Sequence, residues 1–233
     1  MADVLRRRGG RGRLSVSAAA YDRPIDAPSP VSAPLTYGLD IETDTTTNGL
    51  DPAVAAVVAV AVTGADLEVV LDGPEVEILL ALDDLLRSLH PGVLVTWNGS
   101  GFDLPFLSDR ARRHGVGLGL DLRLDAAIGG RHDPLPGHEG AYRARWHGHG
   151  HLDGYQLFRA DVGASLHLPC GLKPLARLVG LPVVEVDRSR IHELDAAARR
   201  AYVASDAHLA RALVMRRAQW RVAVDQMPAS SGS

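Results

Sequence analysis

From Leu35 onward the apolar and polar positions sort into runs of clear period. "LTYGLDIET" (35–43) reads as a strand, and "VAAVVAVAVT" (54–63) is apolar at nearly every position, as a strand buried on both faces requires. "LEVVLD" (67–72) follows as a third strand across the turn "GAD". The spacing then becomes helical in "PEVEILLALDDLLRSLH" (74–90), which ends at Pro91-Gly92. "VLVTW" (93–97) predicts a fourth strand. "DLPFLSDRARRHG" (103–115) predicts a helix with Pro105 in its first turn and Gly115 past its end. "LKPLARLVG" (172–180) predicts a short helix, and a last helix runs from about Leu194 to Val224 with Asp195 as N-cap. Residues 125–150 hold glycines and histidines without a period and predict no element. Three strands, a helix, a strand and further helices make an α/β fold with a mixed central sheet flanked by helices.

The ends behave differently. Residues 1–33 are rich in Arg, Gly, Ser, Ala and Pro, and "RRRGGRGR" (Arg6–Arg13) has no hydrophobic period. They predict a disordered arm, either solvated or touching nucleic acid. Residues 225–233 predict a flexible tail, which leaves 34–224 as one folded domain; no internal repeat is seen.

Composition narrows the class. A chain of 233 residues with 46% hydrophobic content can bury a real core. No apolar run reaches the length of a membrane span, and the N-terminus lacks the apolar stretch of a secretory signal. The single cysteine, Cys170, excludes an internal disulfide framework. The expectation is a cytoplasmic protein without a membrane partner. The net charge of −3 does not announce nucleic-acid binding. Among the basic residues only Lys173 is lysine; arginine suits phosphate contacts by its fork geometry, and high-G+C coding gives the same skew.

Three segments then supply acids where packing would favour an apolar residue. Asp40 and Glu42 in "YGLDIET" are two apart, so on a strand they share one face opposite Leu39 and Ile41. Asp103 lies between Phe102 and Leu104-Pro105-Phe106, where it either caps the helix or faces a cation. In "YVASDAHLARAL" (202–213), Tyr202 and Asp206 are helical neighbours on a face continued by Leu209 and Leu213. A solvent-facing strand, a helix cap and a buried Tyr-Asp hydrogen bond would explain them one by one. A divalent-metal site explains all three together.

"DIET", "NGSGFDLPFL" (98–107) and "YVASDAHLARAL" resemble the three motifs of the DEDD 3′–5′ exonucleases, which have the ribonuclease-H-like (DnaQ-like) fold. The second motif is most similar to the proofreading domains of family B DNA polymerases and to YprB-type ribonuclease-H-like domains. "HLDGYQLFR" (151–159) is similar to the family's strand after that motif, and "LKPLARLVG" to the following helix. The resemblance spans about residues 35–215. It implies that Asp40, Glu42, Asp103 and Asp206 hold two Mg²⁺ or Mn²⁺ ions. It also implies that Tyr202 is the catalytic tyrosine of the DEDDy subgroup, because Ala201 stands where the other subgroup has histidine. Ile41, Thr43, Asn98 and Phe102 are the implied substrate contacts, with core packing the main role for Phe102. Asp153 matches an acidic position that recurs in the family, and its role is open. His208 matches neither subgroup.

The resemblance therefore implies a metal-dependent 3′–5′ exonuclease acting on the 3′ end of single-stranded nucleic acid, DNA favoured over RNA. Two ions about 3.5–4 Å apart activate a water and stabilise the attacking and leaving oxygens of a phosphodiester. No polymerase domain follows, so the expectation is that the protein acts alone or is recruited by a polymerase or repair factor. The glycine turn before Asp103 is expected to let backbone approach the substrate. The competing class is a non-catalytic nucleic-acid-binding domain of the same fold, which would normally have lost one of the four acids. The run "HGHGH" (147–151) would place alternate histidines on one strand face as a transition-metal site, or would form an exposed loop.

Overall fold

The computed structural model describes residues 15–18, 34–128 and 134–217. In chain order these form β1 (Ser15–Ala18), β2 (Thr36–Thr43), β3 (Val57–Thr63), β4 (Leu67–Asp72), α1 (Glu75–Ser88), β5 (Val93–Thr96) and α2 (Asp103–His114). Next come β6 (Leu120–Leu124), β7 (Tyr142–Trp146), β8 (His149–Asp153), α3 (Gly154–Phe158), α4 (Ala164–Leu166), α5 (Leu172–Leu178) and α6 (Ala196–Met215). A π-helical turn, Arg159–Gly163, joins α3 to α4, and a 3-10 segment, Arg188–Glu193, precedes α6.

The strands make one mixed sheet in the order β1-β4-β3-β2-β5-β8-β7-β6. β2 is antiparallel to β3 and parallel to β5, and β5 is parallel to β8. Within the predicted arm, Ser15–Ala18 pairs antiparallel with Leu67–Val70. The rest of that arm and the predicted tail lie outside the described residues.

The two faces of β2 meet different partners. Tyr37, Leu39 and Ile41 join the main core with Ile78, Leu79 and Leu82 of α1 and Leu104 and Phe106 of α2. The opposite face is covered by α6 through small side chains: Ala59, Ala61 and Val70 of the sheet meet Val203, Ala204 and Ala207. A Cβ built on Gly38 would lie 2.1 Å from the Ala207 carbonyl oxygen, so glycine is what lets α6 cross β2 this closely.

Most boundaries agree with the periodicity, and the exceptions have local causes. β3 starts at Val57 and not Val54, because the Ala53 N–H donates to Asp51 Oδ1 (2.8 Å) and the Ala55 N–H to the Asp51 carbonyl (2.9 Å), closing a turn. The predicted blank at 125–150 contains β7 and the start of β8, and β6 lies just before it. β7 does alternate, with Ala144 and Trp146 buried, but its period is too short to stand out among glycines and histidines. "HLDGYQLFR" is strand only as far as Asp153; there the carboxylate accepts the Tyr155 N–H and starts α3. Asp195 caps α6 as expected, accepting the Ala198 N–H at 2.7 Å. α6 ends at Met215, and residues 218–224 of the predicted helix lie outside the described residues.

Candidate active site

Asp40 and Glu42 sit on the α6 side of β2, alternating with the buried Leu39 and Ile41. A register shift at Glu42/Thr43 bulges the strand just past them, a common device for re-aiming side chains beside a site. Because α6 crosses at Gly38, its buried Asp206 comes down beside both. One carboxylate oxygen from each of Asp40, Glu42 and Asp206 lies within 4.8 Å of the others. Asp103 is not part of that close group but lines the same open cleft, of about 710 Å³. Tyr202 lines it too, one helical turn before Asp206 and only 1% exposed.

Asp103 is the first helical residue of α2 and not its cap, the N-cap position being Phe102. Its carboxyl is buried, and that burial pushes it up to about 7. The nearby charge of Asp153 adds to the rise, while its own backbone N–H and that of Ile41 pull the other way. A carboxylate so enclosed is costly unless a cation compensates it.

The remaining predicted contacts also line the cleft. Ile41 is buried in its floor, and Thr43 spends its hydroxyl on the Gly49 carbonyl (2.7 Å), folding loop 44–50 over one side. Asn98 takes a left-handed φ of 70° at the turn. Phe102 packs against Phe106 in the core (ring centroids 5.4 Å apart) while still facing the cleft. The glycine turn departs from expectation. Gly99 and Gly101 are buried and do not line the cleft; a Cβ on Gly99 would lie 2.3 Å from Thr96 Oγ1, so this glycine serves the turn's own packing. His208 is exposed and outside the cleft.

The histidine run does not converge. His147 turns to Asp83 (3.0 Å), His149 is buried against the Leu86 carbonyl (2.8 Å), and His151 bonds Thr96 Oγ1 (2.8 Å). Burial brings His151 down to about 4, against the opposing pull of Asp153. Among the described residues the one group placed to hold a metal is the acidic one.

Lys173 is a site residue that the motifs did not reveal. It is 7% exposed, with Nζ 3.4 Å from Asp206 Oδ1 and 3.8 Å from the Tyr202 ring centroid. The available signal was its being the one lysine among 25 basic residues. Trp97, Tyr155, Leu172 and Ile191 complete the walls.

The family model for the DNA polymerase family B exonuclease domain matches residues 37–167, more than half of the chain. The chain belongs to this family. The exonuclease-domain fold extends further in structural comparison. A family B DNA polymerase from the hyperthermophilic archaeon Pyrobaculum calidifontis superposes over 88% of this chain with a TM-score of 0.62 at 20% sequence identity. A catalytic subunit of DNA polymerase epsilon from Arabidopsis thaliana is 42% identical over 48 residues, or 21% of this chain. The chain spans 28% of the archaeal polymerase and 2% of the plant protein. The match to the exonuclease domain bears out the ribonuclease-H-like fold. Among the described residues, no helix is long and apolar enough to cross a membrane.

Proposed function

We propose that this exonuclease domain removes nucleotides from the 3′ end of single-stranded nucleic acid, DNA in preference to RNA, in a divalent-metal reaction of the DEDDy type. The observation that carries this is the convergence of Asp40, Glu42 and Asp206 within 4.8 Å, in the cleft that also holds Asp103 and Tyr202. The donor set is all oxygen, which fits the hard cations Mg²⁺ and Mn²⁺ and not a thiophilic ion. Asp40, Glu42, Asp206 and Asp103 would hold two such ions, whose chemistry when bound would be to activate a water and to stabilise the entering and leaving oxygens at phosphorus.

The chain's own groups then have separable tasks. Water attacks the terminal phosphodiester, the bond from phosphorus to the 3′ oxygen breaks, and that oxygen takes up a proton as the nucleotide leaves. Tyr202 orients the attacking water; a phenol with an ordinary pKa near 10 is a poor base at neutral pH. Lys173 sits against Asp206 and over the Tyr202 ring, so it holds the two in a fixed relation. Asn98 and Phe102 face the terminal nucleotide. The kinship with polymerase domains supports DNA as the substrate and a polymerase or repair factor as the recruiting partner.

The test is incubation of 5′-labelled single-stranded DNA and RNA with Mg²⁺ or Mn²⁺. A descending ladder of labelled products, stronger on DNA, is expected. Random internal cuts, or no shortening with either ion, would overturn the assignment.

A further inference from the structure

Asp153 ends β8 directly beside the strand that leads into the second motif, with Thr96 of β5 as its register partner. Asp153 is 8% exposed, and its carboxylate gathers four donors. Oδ1 accepts the N–H groups of Asn98 (2.8 Å) and Tyr155 (3.0 Å). Oδ2 accepts the Ser100 N–H (3.1 Å) and, in a short contact, the Ser100 hydroxyl. Four donors occupy the acceptor sites of one carboxylate, so Asp153 is committed to protein and is not a metal ligand.

Those donors mark a segment that needs outside support. Between β5 and α2, Asn98 holds a left-handed φ of 70°, and Phe102 sits at φ −136°, ψ −75°, away from the regular regions. Such backbone persists only where its surroundings over-determine it. Ser100, between them, has its carbonyl taken by the Tyr142 N–H (2.9 Å). β8 reaches the same turn a second way, through His151 to Thr96 Oγ1 (2.8 Å), which in turn accepts the Gly99 N–H (3.1 Å). Asp103 follows immediately, with Leu104 N–H bonded to the Gly99 carbonyl (3.0 Å).

We infer that Asp153 is a positioning residue of the reaction: by tying Asn98 and Ser100 to the end of β8, it fixes the turn that aims Asp103 into the cleft. This rests on the nuclease reading, since aim matters only if Asp103 holds an ion there. Outer groups that orient metal-holding side chains typically contribute 10–100-fold to affinity or activity. A purely structural cap is the competing role, and chemistry separates the two. Asparagine caps helices about as well as aspartate, and it keeps Oδ1 for Asn98 and Tyr155. Its amide nitrogen, however, leaves the Ser100 N–H without an acceptor.

The test compares wild type, Asp153→Asn and Ser100→Ala by Mn²⁺ titration calorimetry, single-turnover rate against strand concentration, and thermal melting. Asp153→Asn is expected to stay folded, melting somewhat below wild type because the buried Ser100 N–H loses its acceptor, and to half-saturate with strand at the wild-type concentration. Its maximal rate should fall about 10–100-fold, with Mn²⁺ binding weakened within the same range. Ser100→Ala, which leaves the charge of Asp153 in place, should move both quantities in the same direction by less.

Wild-type rate and Mn²⁺ affinity in Asp153→Asn would overturn the inference. So would a change in strand half-saturation alone, or losses in Asp153→Asn with none in Ser100→Ala, which would indicate charge and not aim. If Asp153→Asn fails to fold, wild-type values in Ser100→Ala overturn it. A wild type that shortens no strand defeats the nuclease reading separately; the Mn²⁺ isotherms still decide whether Asp153 organises the site.

Discussion

Asp103 carries a large electrostatic strain in the cleft. Its carboxyl is raised from an ordinary 3.8 to about 7, chiefly by burial. An acid that holds its proton more tightly when folded stabilises the fold below pH 4, and that contribution is lost as pH rises through 7. Asp103→Asn mimics the protonated form. In metal-free buffer it should therefore match wild type near pH 4 and exceed it increasingly up to pH 8. Each tenfold change in proton affinity is about 1.4 kcal/mol, which caps the gain at roughly 4 kcal/mol. The same variant should lose the stabilisation Mn²⁺ confers and nearly all nuclease activity. Melting curves across pH, with EDTA and with Mn²⁺, check both; equal stability at pH 8 would contradict the burial argument. Tyr202 and Asp206 share a helix face but have different tasks in the proposed reaction. Tyr202→Phe keeps the buried ring under Lys173 and removes one hydroxyl, so about a hundredfold loss or less is expected, with Mn²⁺ binding unchanged. Asp206→Ala should retain no measurable turnover. A wild-type rate in Tyr202→Phe would remove the water-orienting role, and exposed His208 is not placed to take it over.

The site depends on how closely α6 lies on β2. Alanines at 59, 61, 204 and 207 keep the layer thin, and Gly38 is its tightest point. Gly38→Ala would set a methyl 2.1 Å from the Ala207 carbonyl oxygen and 2.7 Å from Thr63 Oγ1. Backbone cannot yield as a flexible side chain can, so α6 must retreat and draw Asp206 away from Asp40. Overpacking of this kind typically costs about 1–3 kcal/mol, and Mn²⁺ affinity should fall with stability. Full Mn²⁺ affinity in a folded Gly38→Ala protein would mean that the close approach is incidental to the site. Other elements of the fold are joined by ties that no single element shows. Thr45 Oγ1 bonds His192 Nδ1 at 2.8 Å, joining the loop after β2 to the segment before α6. Glu75 of α1 binds both the Val57 N–H (2.7 Å) and Arg110 of α2, whose Nη1 reaches the Pro52 carbonyl (2.9 Å).

For the molecule as a whole, the acid cluster lies inside a cleft and not on an open face, with Asp206 only 2% exposed. A terminal phosphodiester must enter the cleft to reach it. Blunt duplex should therefore be cut more slowly than single strands, because each base-pair step opened costs about 1.4 kcal/mol in stacking alone. Rates on matched blunt and single-stranded substrates at equal Mn²⁺ provide the check, and equal rates would exclude entry by a separated strand. Ion binding should also be visible without substrate. At a hundredfold excess over its dissociation constant an ion adds about 2.7 kcal/mol to stability.

Periodicity along the chain was enough for β2, β4, α1 and α2, each found within about two residues of its pattern, because these elements repeat one burial rule over several positions. It was also enough to put Asp40 with Glu42 and Tyr202 with Asp206, since strand and helix spacing are local geometry. It did not reach β6 and β7, whose short alternations become meaningful only when paired with β8. Nor did it reveal Lys173, which is distant in sequence from Asp206 and meets it only because α5 packs beside α6. The knot at Asp153 is likewise a product of parallel pairing, which brings residue 153 beside Thr96 across a long crossover. Local repetition reports which face of an element is buried; which faces then meet is decided by packing between elements that no local period encodes.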